Sequence, residues 1–468
     1  MDAKGKIEGQ RTKDDDPVRP FTCSPGEVGH VENFDNDWSW RYSGRFTGIN
    51  GKVEPELGGA KAGGFERWRL VNAGRGEPMR MRLYRLDPAA PHLSAVKGSD
   101  QQKWRERYCR GEPLPMWEIA LDGLTRSAAR KTDVATLFPG ERKDVLVSLP
   151  ERGRYCIVND TGPDYVADAN PTNPPRMVAT VEAETGRSSN EDPGKLLQTA
   201  LIRSADKALA GDANASIRER VVKDLADGVK LAAFVWHKPV QDAEVGGYRE
   251  ALLDITGGPE AQAFRVNGRS YDEKRIDAVL PLGKAEEWRA VAVIDDHPLH
   301  IHVNPFQIVS IEDAQGKDRT DPKSPAFDPD YAGLKGEWKD TIFIKENDRV
   351  IFRTRYERFT GDFLLHCHIM RRAGNDGAAG GQRGRDLLRQ QVDGEIPRAE
   401  CRRRPDRLPD DPAQLAGGAD QGAAIVALDL FRVPIEQLRR TQHLGLGLGD
   451  DLALLLRQDG ADTVDPLA

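Results

Sequence analysis

No stretch of this sequence approaches the roughly 18–20 consecutive apolar residues of a membrane-spanning helix, so no such span is expected. The opening residues, "MDAKGKIEGQRTKDDDPVRP", are charged and lack the apolar core of a secretory signal, so no signal peptide is expected in this chain. Five cysteines (Cys23, Cys109, Cys156, Cys367 and Cys401) stand at scattered spacings with no CxxC pair, and they imply no disulfide framework. A basic surplus is absent too: the formal net charge is −7, which argues against a nucleic-acid partner. Histidine is scarce, with nine in 468 residues, yet five of the nine fall in two short clusters. That concentration makes the clusters the first place to look for chemistry. The length allows two to four domains.

The chain repeats itself. "ERWRLVNAGRGEPMRMRL" at 66–83 lies on "EEWRAVAVIDDHPLHIHV" at 286–303, which sets Glu77 on His297, Pro78 on Pro298, Arg80 on His300 and Arg82 on His302. "INGK" at 49–52 and "VNGR" at 266–269 precede the two copies. Downstream, "GERKDVLVSL" at 140–149 matches "GEWKDTIFIK" at 336–345. "RYCIVN" at 154–159 then matches "LHCHIM" at 365–370, with Cys156 on Cys367. Four matches in one order, over a unit of more than 100 residues, read as a duplicated domain and not as a solenoid.

Each unit carries short alternating segments such as "RWRLVN", "DVLVSL", "TIFIKE" and "RVIFRTRY", broken by Gly, Pro and Asp turns. These are strand signals, and the expected fold is all-β, two tandem β-sandwiches. The expected division is an N-terminal segment (1–35), a first sandwich (36–187), a polar, Ala-rich linker with helical propensity (188–230), a second sandwich (231–371) and a tail (372–468). The tail has no Lys, Tyr, Trp or Met, and no sustained period. It reads either as a disordered, low-complexity segment or as the product of a frameshift near Met370.

The two histidine clusters carry the chemistry. Side chains alternate along a strand, so His300 and His302 share a face and Ile301 points away. His297 lies beyond Pro298 and can face elsewhere. In "HCH", His366 and His368 share one face while Cys367 takes the other, so one strand can serve two sites. A single HxH is often a surface accident, and a lone Cys is usually a small buried hydrophobe. Both clusters in one β-domain point to metal. Soft thiolate with imidazole suits copper, and neither cluster has zinc-finger spacing.

At these residues the chain resembles a known family. "HPLHIHVNPF" and "LLHCHI" are similar to the third and fourth copper motifs of the multicopper oxidases (laccase-like), and "INGK", "ERWRLVNAG" and "LFPGERKDVLV" resemble that family's middle domain, over roughly residues 36–371. The resemblance implies Greek-key cupredoxin domains. It implies one-electron oxidation of small phenols, amines or metal ions, coupled to reduction of dioxygen to water. By position it implies His297 and Cys367 at a type 1 copper, His300 at the type 2 copper, and His302, His366 and His368 at the type 3 pair. The first unit then corresponds to the copper-free middle domain, with Glu77, Arg80, Arg82, Tyr155 and Ile157 at the histidine positions and Cys156 as a buried core thiol. Members are commonly periplasmic or secreted.

The chain departs from the pattern in two places. The second type 1 histidine and the axial apolar residue are replaced by Arg372 and Gly377. The family's first two HxH motifs find no counterpart, and His30 and His92 are isolated, as surface residues would be. Half of the trinuclear ligands are thus missing. The readings to weigh are an incomplete copper-dependent oxidoreductase, a non-catalytic copper-binding protein, and an inactive gene fragment.

Overall fold

A computed structural model describes residues 48–74, 78–96, 100–160, 176–211, 215–256, 263–272, 274–368, 387–393 and 431–434. Residues 1–35 and His30 lie outside these, as do Glu77, Arg372 and Gly377. Among the described residues no helix is long and apolar enough to cross a membrane.

Alternation builds the first sandwich. In the strand Met79–Arg85, Met79, Met81 and Leu83 are buried in the core, and Arg80, Arg82 and Tyr84 point the other way. This strand lies in a five-stranded sheet, in the order Glu56–Ala62, Arg176–Gly186, Gly153–Asn159, Met79–Arg85, Ala135–Leu137. The facing sheet runs Phe431–Pro434, Phe65–Val71, Arg142–Ser148, Met116–Leu121, Leu124–Thr132. Trp68, Leu70, Val145 and Val147 from that sheet meet the methionines in one core.

The second unit is built likewise. One sheet has six strands, in the order Ala263–Val266, Val245–Thr256, Ala285–Ala292, Arg349–Arg355, Phe306–Glu312, Trp338–Lys339. The other runs Ala278–Pro281, Leu387–Asp393, Gly361–Cys367, His297–Ile301, Thr341–Ile344. Trp288, Phe352 and Phe306 from the first sheet pack with Leu299, Ile301 and Leu365 from the second. The all-β architecture is therefore a pair of cupredoxin-like sandwiches.

Between them, the 188–230 stretch forms two helices, Pro193–Ala208 and Ala215–Ala226. Asp192 caps the first by accepting from the Lys195 amide at 3.0 Å, with Pro193 at its first turn. Leu197, Leu201 and Ala205, four apart, bury one stripe with Val221 and Leu225 against Trp117, Ile119 and Leu146. The helices thus share a core with the first sandwich. Inside the 372–468 stretch, Leu387–Asp393 pairs antiparallel with Gly361–Cys367 and parallel with Ala278–Pro281, and Phe431–Pro434 pairs with Phe65–Val71. The rest of that stretch lies outside the described residues.

Two sequence matches shift in the structure. Arg142–Ser148 pairs with Phe65–Val71, and its counterpart in the second unit is Arg349–Arg355, which pairs with Ala285–Ala292. Thr341–Ile344 pairs instead with His297–Ile301, the place that Ala135–Leu137 takes beside Met79–Arg85. Cys156 is not the counterpart of Cys367. Cys367 lies opposite Leu299, whereas Cys156 lies opposite Tyr84 and not opposite Met79. Nor is Cys156 a thiol: it forms a disulfide with Cys109, with Cα atoms 6.1 Å apart. Tyr84 and Leu86, two residues apart, explain the pairing, because Cys156 lies across from the first and Cys109 bridges to the second.

Candidate metal centre

The register between His297–Ile301 and Gly361–Cys367 divides the donors between two faces. His300 lies directly opposite His366, and Leu299 directly opposite Cys367. Opposed residues in an antiparallel pair share a face. Leu299 and Ile301 face the sandwich core, so Cys367 and His297 are on the core side and His300, His302 and His366 on the outer side. Cys367 is buried and in no disulfide, and His297 is fully buried.

On the outer face the imidazoles converge. One donor atom each from His300, His302 and His366 falls within 4.8 Å of the others. His302 Nε2 and His366 Nε2 are 3.0 Å apart. The His368 ring joins them, with its centroid 5.2 Å from that of His300 and 4.9 Å from that of His366. The His368 amide donates to the Pro298 carbonyl at 2.8 Å, which extends the ladder and holds this last ring in place.

Fixed acceptors set which ring nitrogen is left for a metal. His300 Nδ1 lies 2.9 Å from the Asp340 carbonyl and His366 Nδ1 3.0 Å from the Cys367 carbonyl. A carbonyl only accepts, so both Nδ1 atoms carry the proton and both Nε2 atoms keep a lone pair. His297 is held the other way, with Nε2 donating to the Ile294 carbonyl at 3.0 Å, which puts its lone pair on Nδ1.

Electrostatics keep the His302 and His368 rings neutral. Burial, then the nearness of His366, His300 and Arg142, pulls His368 down to about 3. Burial and His300 lower His302 in the same way. Burial alone would raise the Asp340 carboxyl, but hydrogen bonds from His300 and Arg142 outweigh it and hold the group ionised far below its usual range. Neutral imidazoles are the form that ligates.

The first sandwich closes one side of this face. Phe138 stacks on Phe343 with centroids 3.9 Å apart. Gly140, at φ +83°, lies so close to His368 that a Cβ there would meet the ring at 2.6 Å. Sequence reasoning missed Gly140, Arg142, Asp122 and Asp340. The one available signal was the Lys-Asp pair shared by "GERKDV" and "GEWKDT". Arg80 and Arg82, at the histidine positions of the first unit, are engaged elsewhere. Arg80 pairs with Asp330 at 2.6 Å, and Arg82 pairs with Asp160 at 2.9 Å and with Asp133. His92 is an exposed residue paired with Glu56 at 3.2 Å.

The family model described as multicopper oxidase matches residues 245–379. This part of the chain is similar to the multicopper oxidases. Among curated proteins, the multicopper oxidase mco of Staphylococcus aureus is 28% identical over 115 residues, 24% of this chain and 22% of that protein. A laccase of Haloferax volcanii is 28% identical over 111 residues, 24% of this chain and 17% of its own length. Bilirubin oxidase of Albifimbria verrucaria is 24% identical over 115 residues, 24% of this chain and 18% of that protein. The chain thus spans about a fifth of the length of the curated relatives it matches. Of solved structures, a multicopper oxidase from Campylobacter jejuni, described as a metallo-oxidase, aligns with TM-score 0.46 and 18% identity over 74% of this chain and 57% of that one. Within the matched segment the described residues hold a partial ligand set: three converging histidines with His368 beside them.

Proposed function

We propose that this chain is a copper-dependent oxidoreductase of the multicopper oxidase type, carrying the copper-binding unit and its copper-free neighbour. On the outer face His300 would hold a type 2 copper, and His302, His366 and His368 the type 3 pair. On the core side His297 and Cys367 would hold a type 1 copper. The donors fit that assignment: soft thiolate with imidazole on one side, and imidazole alone, with lone pairs on Nε2, on the other. The bound copper supplies one-electron oxidation of a small phenol, amine or metal ion and reduction of dioxygen. The chain's own residues bind and orient: carbonyls fix the tautomers of His300 and His366, and burial keeps His302 and His368 neutral.

The observation that carries this reading is the register, which sends Cys367 to one side of a strand and its flanking His366 to the other. Copper analysis with visible and paramagnetic-resonance spectra of the purified chain tests it. Bound copper that disappears on joint substitution of His302 and His366 supports the reading, and copper binding indifferent to both refutes it.

A second reading, copper binding without turnover, is favoured by the donor count. Four imidazoles serve the outer face among the described residues, and Arg372 and Gly377 stand where the family's fourth motif has its last histidine and its axial residue. Absence of oxygen consumption in fully loaded protein favours this second reading.

A further inference from the structure

The first sandwich reaches the metal face through a chain of hydrogen bonds. Arg142 Nη1 donates to Asp340 Oδ1 at 2.7 Å, and Nη2 to Asp340 Oδ2. The same guanidinium donates to the Gly140 and Asp122 carbonyls, at 3.1 and 2.8 Å, so it is held by its own unit. Asp122 enters from the same side. It sits at the tip of the hairpin between Met116–Leu121 and Leu124–Thr132, with φ +52°, and Gly123 beside it at +84°. Its Oδ2 accepts from the Asp340 and Thr341 amides at 3.3 and 3.2 Å, and from Lys339 Nζ at 3.1 Å. Residues 339–341 of the second unit are therefore clamped by carboxylate and guanidinium groups of the first.

Those clamped residues are the ones that hold His300. The Thr341 hydroxyl donates to Asp340 Oδ1 at 2.8 Å. Its proton is thereby committed, and its oxygen turns a lone pair to His300 Nδ1 at 3.0 Å. The Asp340 carbonyl offers a second acceptor to the same nitrogen. We propose that Arg142 and Asp122 of the first sandwich are positioning residues that fix the tautomer of His300 through Asp340 and Thr341, leaving Nε2 as its metal-binding atom. The metal part of this statement rests on His300 being a copper ligand; the tautomer part does not. The proposal gives the duplicated unit a task that needs no histidine of its own. Arg suits it, since the planar fork grips a carboxylate at two points and never loses its charge.

The test uses the full chain with ¹⁵N-labelled histidine, first metal-free and then titrated with cupric ion against a competing chelator. Thr341→Val keeps the shape and removes one of the two acceptors. Thr341→Ser restores it. Arg142→Gln removes the grip on Asp340. The wild type is expected to show the His300 proton on Nδ1 alone. Thr341→Val and Arg142→Gln are expected to move part of it to Nε2 and to weaken copper about 10- to 100-fold, as outer-shell changes do. Thr341→Ser is expected to stay within about threefold of the wild type, on the same scale. Should Arg142→Gln fail to fold, the Thr341 pair still decides the matter. An unchanged tautomer with unchanged copper affinity in Thr341→Val overturns the proposal. A shifted tautomer in protein that binds no copper supports the positioning role and removes the copper reading.

Discussion

His302 and His366 meet Nε2 to Nε2 at 3.0 Å, from adjacent segments of the two histidine clusters. The Cys367 carbonyl holds the His366 proton on Nδ1, so without metal His302 donates its own proton across this gap. A metal ion replaces that proton. Single substitutions His302→Ala and His366→Ala are each expected to lower copper affinity at least about 10-fold. The double variant is expected to cost less than the two losses combined, because both rings serve one ion. Titration calorimetry with a competing chelator measures all three, and strict additivity would argue against a shared ion.

Gly140 is expected to be intolerant for two separable reasons. Alanine there meets a left-handed backbone, at φ +83°, and the His368 ring. Gly111, at φ +96°, has open space around it and isolates the first effect. Gly111→Ala should cost about 1–2 kcal/mol of stability and leave copper affinity alone. Gly140→Ala should cost more and also weaken copper. Thermal melts and copper titrations of the pair check this, and equal behaviour would remove the contact from the account.

Burial would raise Glu118, but Lys143, Arg126 and Arg130 outweigh it and hold the carboxylate down to about 2. Lys143 Nζ donates to Glu118 at 2.9 Å, and Arg126 goes on to the Gly333 carbonyl at 2.6 Å, so the cluster also ties the units together. A carboxyl lowered on folding contributes stability that is complete above its unfolded value of 4.5 and is lost as pH falls toward 2. The shift corresponds to roughly 3 kcal/mol. Glu118→Gln should flatten this acid limb, and it should cost about 3–5 kcal/mol at neutral pH by leaving buried cations without their counter-charge. Denaturant melts between pH 7 and pH 2 measure both effects.

The Cys109–Cys156 disulfide closes a loop with a sequence separation of 47. Chain entropy puts its contribution at about 4 kcal/mol. The double variant Cys109→Ala with Cys156→Ala is therefore expected to melt lower. Copper binding should persist in it, because the bond lies beside Trp104 and Met177 in a satellite of the first sandwich, away from the histidines. A variant that melts like the wild type would contradict the pairing.

What the sequence made legible was local. "MRMRLYR" and "HPLHI" declare their inner and outer faces by alternation, and the Ala-rich composition of 188–230 announces helix. The donors of the metal face were readable because HxH and HCH fix faces within a few residues. The Cys109–Cys156 pair was not, since no spacing rule brings two cysteines to neighbouring positions beside one strand. The Lys-Asp pair misled for a related reason. Lys143 and Asp144 lie in a strand facing Phe65–Val71, while Lys339 and Asp340 lead into a strand beside His297, and pairing partners are chosen by topology. Arg142 acts on His300 across a domain boundary, through residues far away in the chain.

The central claim is that one strand, Gly361–Cys367 with His368 after it, offers a thiolate to a copper on one side and imidazoles to copper on the other. Metal analysis and visible absorption of wild type and Cys367→Ser, loaded side by side, test it most directly. The account predicts a thiolate-to-copper visible band in the wild type that vanishes in the variant, while copper held by His300, His302, His366 and His368 remains. A band that survives the substitution, or loss of all copper together with the thiol, would contradict it.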